Sequence, residues 1–154
     1  MNKIINYTLL FFLLLLSSCA YEPILNNKNY GFSINVDKIN GDQKINSIII
    51  KNFNNLKEKE KIYDLTISST KEKNIISKDS KGDPSIFELI INVNYRVEKD
   101  GKTLIVNKIN RKTTYNNITD KFELENYDKN IINQLSKYVS DKIINSISEI
   151  QNDN

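Results

Sequence analysis

An unbroken apolar run, Leu9 to Leu16, opens the chain, and nothing downstream repeats it. Beyond residue 30 the apolar positions recur instead with the periods of strands and helices. Phe32, Ile34 and Val36 alternate with Ser33, Asn35 and Asp37, which predicts a half-buried strand over about 30–39. Asn40-Gly41-Asp42 then reads as a turn with a helix N-cap. Ile45, Ile48, Ile49, Phe53 and Leu56 follow at helical spacing, so an amphipathic helix is expected from about 42 to 56. Tyr63, Leu65 and Ile67 alternate again and predict a second strand. The polar stretch from about 70 to 84, closed by Gly82-Asp83-Pro84, reads as a loop into which the strand can extend through Ile75 and Ile76. The clearest alternation runs over 86–98, with Phe87, Leu89, Ile91, Val93, Tyr95 and Val97 on one face. Asp100-Gly101 supplies a tight hairpin turn, and a returning strand is expected over about 102–115. A long helix from about 121 to 150 carries a stripe of Leu124, Tyr127, Ile131, Leu135 and Tyr138. The stripe drifts into Ile132, Val139, Ile143, Ile147 and Ile150. Such a drift suits a helix lying diagonally across a twisted sheet, or one that offers a second face to a partner; packing in the core is the favoured reading.

The order β-α-β-β-β-α predicts an α+β fold: a two-layer sandwich of a four-stranded mixed sheet with two helices on one face. The first strand–helix–strand unit suits a parallel crossover and the later hairpin an antiparallel pair. Two hairpin registers are open. A two-residue turn sets Leu104 opposite Val97 and Val106 opposite Tyr95. A three-residue turn with a glycine bulge sets Ile105 opposite Tyr95 and Ile109 opposite Ile91, which keeps more apolar pairs on one face and is preferred.

The opening run is shorter than the ~20 apolar residues a spanning helix needs. Lys3 precedes it, and Leu16-Ser17-Ser18-Cys19 closes it. This is the pattern of a secretory signal peptide, and its ending resembles the lipobox of bacterial lipoproteins. That resemblance implies a diacylglyceryl group on the sulfur of Cys19, cleavage before it, and acylation of the new amine, a palmitate-type anchor. The expected organisation is a signal peptide over 1–18, a lipidated tether over 19–29, one α+β domain over 30–150 and a frayed tail over 151–154. Ala20, in place of an aspartate, favours the outer membrane.

Cys19 is the only cysteine, so the fold is expected to hold without a disulfide. There is no histidine and no tryptophan. The absence of imidazole removes the commonest general base and metal ligand. Carboxylates are scattered among lysines, no phosphate-cradling glycine loop is present, and no metal-ligand spacing occurs. The expectation is a protein that is not an enzyme and carries no metal or cofactor beyond the covalent lipid. A net charge of +3 with interspersed signs argues no nucleic-acid partner. Arg96 and Arg111 are the only two arginines among twenty lysines, and both fall on the hairpin strands. Guanidinium holds phosphate or carboxylate bidentately. With Lys108 and Lys112 on the returning strand, and Lys71, Lys73, Lys78 and Lys81 in the polar stretch, they could meet an anionic glycolipid. A solvated sheet face with a few surface pairs is the plainer alternative.

The anchor, the Tyr21-Glu22-Pro23-Ile24-Leu25 tether and the element order together resemble the LptE family, the lipopolysaccharide-assembly lipoproteins of Gram-negative bacteria. The resemblance runs from Cys19 to about Ile150 and is densest at Val93-Asn94-Tyr95-Arg96-Val97 and Asp100-Gly101-Lys102. It implies a periplasm-facing plug inside an LptD-type outer-membrane β-barrel, one that supports barrel assembly and assists lipopolysaccharide transport to the outer leaflet. It also implies lipopolysaccharide binding by basic residues of sheet and loop, for which Arg96, Arg111 and Lys112 are the nearest candidates. A lipid or acyl-chain carrier, or another small lipoprotein associated with the surface or with peptidoglycan, is the alternative. The carrier would need an enclosed apolar cavity between sheet and helices.

Overall fold

A computed structural model describes residues 30–54, 56 and 59–152 of the chain. The expected signal peptide and tether, with Cys19, lie outside the described residues, as do 153 and 154. The elements are β1 (Ser33–Gly41), α1 (Gln43–Phe53), β2 (Ile62–Lys78), β3 (Pro84–Lys99), β4 (Lys102–Asn116) and α2 (Lys121–Asn152). They form the expected α+β fold. The four strands make one sheet in the order β1-β2-β3-β4. β1 is parallel to β2, with α1 as the crossover, and β2, β3 and β4 are antiparallel in turn.

One side of the sheet is dry. Tyr63, Leu65 and Ile67 of β2 join Leu89, Ile91, Val93, Tyr95 and Val97 of β3 in a single buried cluster. The same cluster contains Ile45, Ile49 and Phe53 of α1 and Ile131, Ile132, Val139, Ile143, Ile144 and Ile147 of α2. Period two on the strands and 3.6 on the helices point these side chains at one another, and their burial is the main force that holds the layers together. The drift along α2 is the diagonal crossing. Asp128, near its start, lies beneath Tyr115 of β4, Asn52 of α1 donates to Ser140 at 2.7 Å, and Gln151, at the far end, closes over Gly31.

The junction of β1, α1 and β2 is polar and tightly built. Gly41, at φ 94°, brings its backbone so near β2 that an added Cβ would stand 1.8 Å from the Ser69 carbonyl oxygen. Asp42 caps α1 as expected, accepting from the backbone N–H groups of Lys44 and Ile45, both at 3.0 Å. The buried Ser69 hydroxyl donates to Asn46 Oδ1 at 2.8 Å, and Asn46 Nδ2 donates to the Asn40 carbonyl at 2.9 Å.

Two expectations need correction. The polar stretch is no loop until residue 79: β2 continues to Lys78, paired with β3 down to Pro84, and the turn is only 79–83. Asp79 Oδ1 organises it by accepting from the N–H groups of Lys81 and Asp83. Backbone pairing with the long β3 holds 70–78 extended, so these residues need no apolar face of their own. The hairpin register is neither of the two alternatives. Asp100 (φ 52°) and Gly101 (φ 75°) form a two-residue turn that pairs Lys99 with Lys102. A bulge then leaves Leu104 over and sets Ile105 opposite Val97, Asn107 opposite Tyr95, Ile109 opposite Val93 and Arg111 opposite Ile91. The preferred pairs Tyr95–Ile105 and Ile91–Ile109 are absent. The bulge lets two consecutive apolar residues, Leu104 and Ile105, both reach the core.

Candidate functional site

The opposite side of the sheet carries no helix and is polar along most of its length. From β2 it presents Thr66, Ser68 and Thr70, from β3 Glu88, Asn92, Asn94, Arg96 and Glu98, and from β4 Lys108, Asn110 and Lys112. Asn110 Nδ2 donates to Asn92 Oδ1 at 2.7 Å and Asn92 Nδ2 to Thr70 Oγ1 at 3.4 Å, a cross-strand ladder of short polar side chains. Toward the hairpin end the open face sinks into a hollow of about 570 Å³, bordered by Asp37, Lys38, Arg96, Glu98, Val106 and Lys108.

Strand register decides where the expected site residues fall. Arg96 stands on the open face, opposite Thr66 and Val106, with its guanidinium 3.9 Å from Glu98. Lys112 is on the same face, opposite Ile90, and its ammonium lies 3.0 Å from Glu88 Oε1. Six residues of strand separate Lys112 from the Val106 that faces Arg96, about 20 Å. Arg111 is one residue from Lys112 and therefore on the other face. Its guanidinium carbon sits 3.6 Å from the centroid of the Tyr138 ring of α2. There it borders a second hollow, of about 290 Å³, with Tyr95, Lys108, Lys142 and Ser146. Arg96, Arg111 and Lys112 are thus not one cluster. Lys108, which borders both hollows, links Arg96 with Arg111 around the β4 edge. The sequence places Lys108 on the returning strand, but only the register shows its position between the two arginines.

Two lysines of the polar stretch are engaged elsewhere. Lys71 pairs with Asp42 at 3.1 Å. Lys73 pairs with Asp128 at 2.7 Å and lies 4.2 Å above the Phe87 ring. Burial works to raise the Asp42 carboxyl, but hydrogen bonds from the Ile45 and Lys44 N–H groups and the Lys71 ammonium prevail and hold it below the usual carboxylate range. Burial first, then the hydrogen bond to Asp128 and its charge, push the Tyr115 phenol well above its ordinary value. Tyr115 therefore stays a neutral donor to Asp128 and secures the start of α2 beneath β4. Among the described residues no cluster of histidine, cysteine, aspartate or glutamate is arranged to hold a metal ion.

No family model and no curated protein matches the sequence. Solved structures do match the fold. A rare lipoprotein B from Shewanella oneidensis superposes with a TM-score of 0.59 at 15% identity, over 77% of this chain and 98% of that one. An uncharacterized lipoprotein B from Nitrosomonas europaea gives 0.55 at 13%, over 82% and 90%. A putative lipoprotein from Caulobacter crescentus gives 0.53 at 13%, over 77% and 89%. At such identities the likeness is one of fold, and it spans nearly the whole of each of those chains.

Proposed function

We propose that this chain is a lipid-anchored protein of the outer membrane that plugs an LptD-type β-barrel from the periplasmic side and assists lipopolysaccharide transport. The observation that carries this reading is the shared fold with proteins named as lipoproteins, in a chain whose own Leu16-Ser17-Ser18-Cys19 ending matches a lipidation signal. The open sheet face adds physical support. A ladder of asparagine, threonine and lysine with few apolar side chains suits the polar inner wall of a barrel. An acyl anchor at Cys19 would hold the domain beside its barrel; at ~0.8 kcal/mol per buried methylene, more than one chain makes that anchorage stable. The protein acts by binding, without catalysis. Arg96 and Arg111, with Lys112, are the groups proposed to meet the phosphates of lipopolysaccharide, and Lys108 between the two arginines belongs with them.

A carrier for a free acyl chain is less well supported. The hollows at both ends of the sheet are surface hollows with polar side chains in their rims, while the space between sheet and helices is filled by the buried cluster. The barrel reading is tested by extracting the full chain in mild detergent and identifying what co-purifies. An LptD-type barrel in the eluate is the expected result, and its consistent absence removes the proposal. Direct binding to lipopolysaccharide is tested with Arg96→Ala combined with Arg111→Ala: weaker binding by a folded protein is expected, and unchanged binding rejects these residues.

A further inference from the structure

The sheet has two edges, and they are finished differently. β1 is short, carries a bulge after Val36, and ends where Gly41 is pressed against Ser69. β4 is a fifteen-residue edge with no strand beyond it among the described residues. Its bulge lies near the hairpin, and from Ile105 to Asn116 its register with β3 is unbroken. The backbone direction along this stretch can be read from two hydrogen bonds. The Asn117 N–H donates to the Ser85 carbonyl of the neighbouring chain segment at 2.8 Å, which places the odd-numbered backbone groups toward β3. The even-numbered groups therefore point outward. In agreement, the Lys108 N–H is taken by the Asn107 side-chain oxygen at 2.7 Å, a local substitute for a strand partner. Val106, an outward position, is an exposed apolar residue at 71%.

Charge selects the occupant. β4 carries Lys102, Lys108, Arg111 and Lys112 and no carboxylate. A second copy of the chain would set these like charges against one another, so self-pairing is disfavoured. A strand added here sends alternate side chains over the two faces, and Lys108 borders a hollow on each. We propose that Ile105–Asn116 is a docking edge for an extended, acidic polypeptide segment of another protein, which joins the sheet as a fifth strand. Main-chain hydrogen bonds would supply affinity, and carboxylates beside Lys108 and Arg111 would supply register and selectivity. This edge does not depend on the barrel reading, since its partner is defined by backbone geometry and charge.

The test uses the full detergent-solubilised chain and three synthetic peptides of about twelve residues, a length that matches the regular part of the edge. One alternates Glu with Val and Thr, one replaces each Glu by Lys, and one keeps Glu but carries a central proline. Affinity is read by fluorescence polarisation, and amide exchange is followed residue by residue. Binding of the Glu peptide should exceed that of the Lys and proline peptides by about tenfold or more, the sum of a few cross-strand charge pairs and ladder bonds. The Val106, Asn110 and Lys112 amides should become protected, and Lys108→Glu should lower affinity for the Glu peptide and raise it for the Lys peptide. Equal binding of the proline and parent peptides overturns the proposal, because charge alone then accounts for it. Displacement of the peptide by inorganic phosphate with no amide protection also overturns it and assigns the edge to a small anion.

Discussion

β3 sends Leu89, Ile91, Val93, Tyr95 and Val97 toward the helices and Glu88, Asn92, Asn94 and Arg96 toward solvent, so one strand serves two unlike surfaces. On the covered side, shape decides everything: Leu89, Ile91, Val93 and Val97 are at most 1% exposed, and every neighbour is fixed by packing. On the open side the contacts are short polar ladders and single ion pairs, such as that of the exposed Lys112 ammonium with the half-buried Glu88 carboxylate. A packed face tolerates little change, whereas a solvated face is free to be shaped by a partner. The difference leaves the open face and the β4 edge as the surfaces on which a partner can act.

The comparison can be broken most severely from the covered side. Ile91→Ala removes a fully buried side chain beneath α2 and should cost about 3 kcal/mol, read as a lower urea midpoint, whereas Asn92→Ala one residue away should stay within about 0.5 kcal/mol. Equal losses would show that the ladder matters as much as the core. Ser69→Ala probes the polar exception inside the covered side: it strips the buried Asn46 oxygen of its donor and should cost about 2 kcal/mol. Asp42→Ala removes the α1 cap and the partner of Lys71 and should cost about 1 kcal/mol near neutral pH. Its carboxyl is held below the usual range in the folded protein, so its contribution is present above about pH 4 and is lost as pH falls through the lowered value. Asp42→Asn should therefore flatten the acid limb of the stability profile. A small effect is also expected at Lys112, where Lys112→Ala removes the exposed partner of the half-buried Glu88 carboxylate and should cost less than about 1 kcal/mol by thermal melting.

Much of this fold was legible in the residues. The alternation over 86–98, the N-cap at Asp42 and the turn at Asp100-Gly101 are local signals, and every element except the far half of β2 lies within a few residues of where its pattern places it. The continuation of β2 to Lys78 was legible only as the extension that Ile75 and Ile76 allowed, because the other residues from Lys71 to Lys78 have the composition of a loop and are held extended through their backbone bonds to β3. The candidate site was legible as residue types and not as geometry. Arg96, Arg111 and Lys112 are evident as the basic positions of the hairpin, and the alternation of β3 already sets Arg96 on its polar face, but a single bulge at Leu104 sets which faces Arg111 and Lys112 take. Such a bulge costs little locally and has no strong sequence signature.

By itself, then, the sequence determined the periods, the caps and turns and the sorting of apolar from polar side chains, because these depend on neighbours a few residues apart. Tertiary structure alone decided the register of β4, the placing of Arg111 on the face away from Arg96, the clamp of Ser69 on Asn46 and the bare edge from Ile105 to Asn116. Those features depend on which strands meet and at what offset, and the offset is settled by the packing of Leu104 and Ile105 against a core assembled from the whole chain.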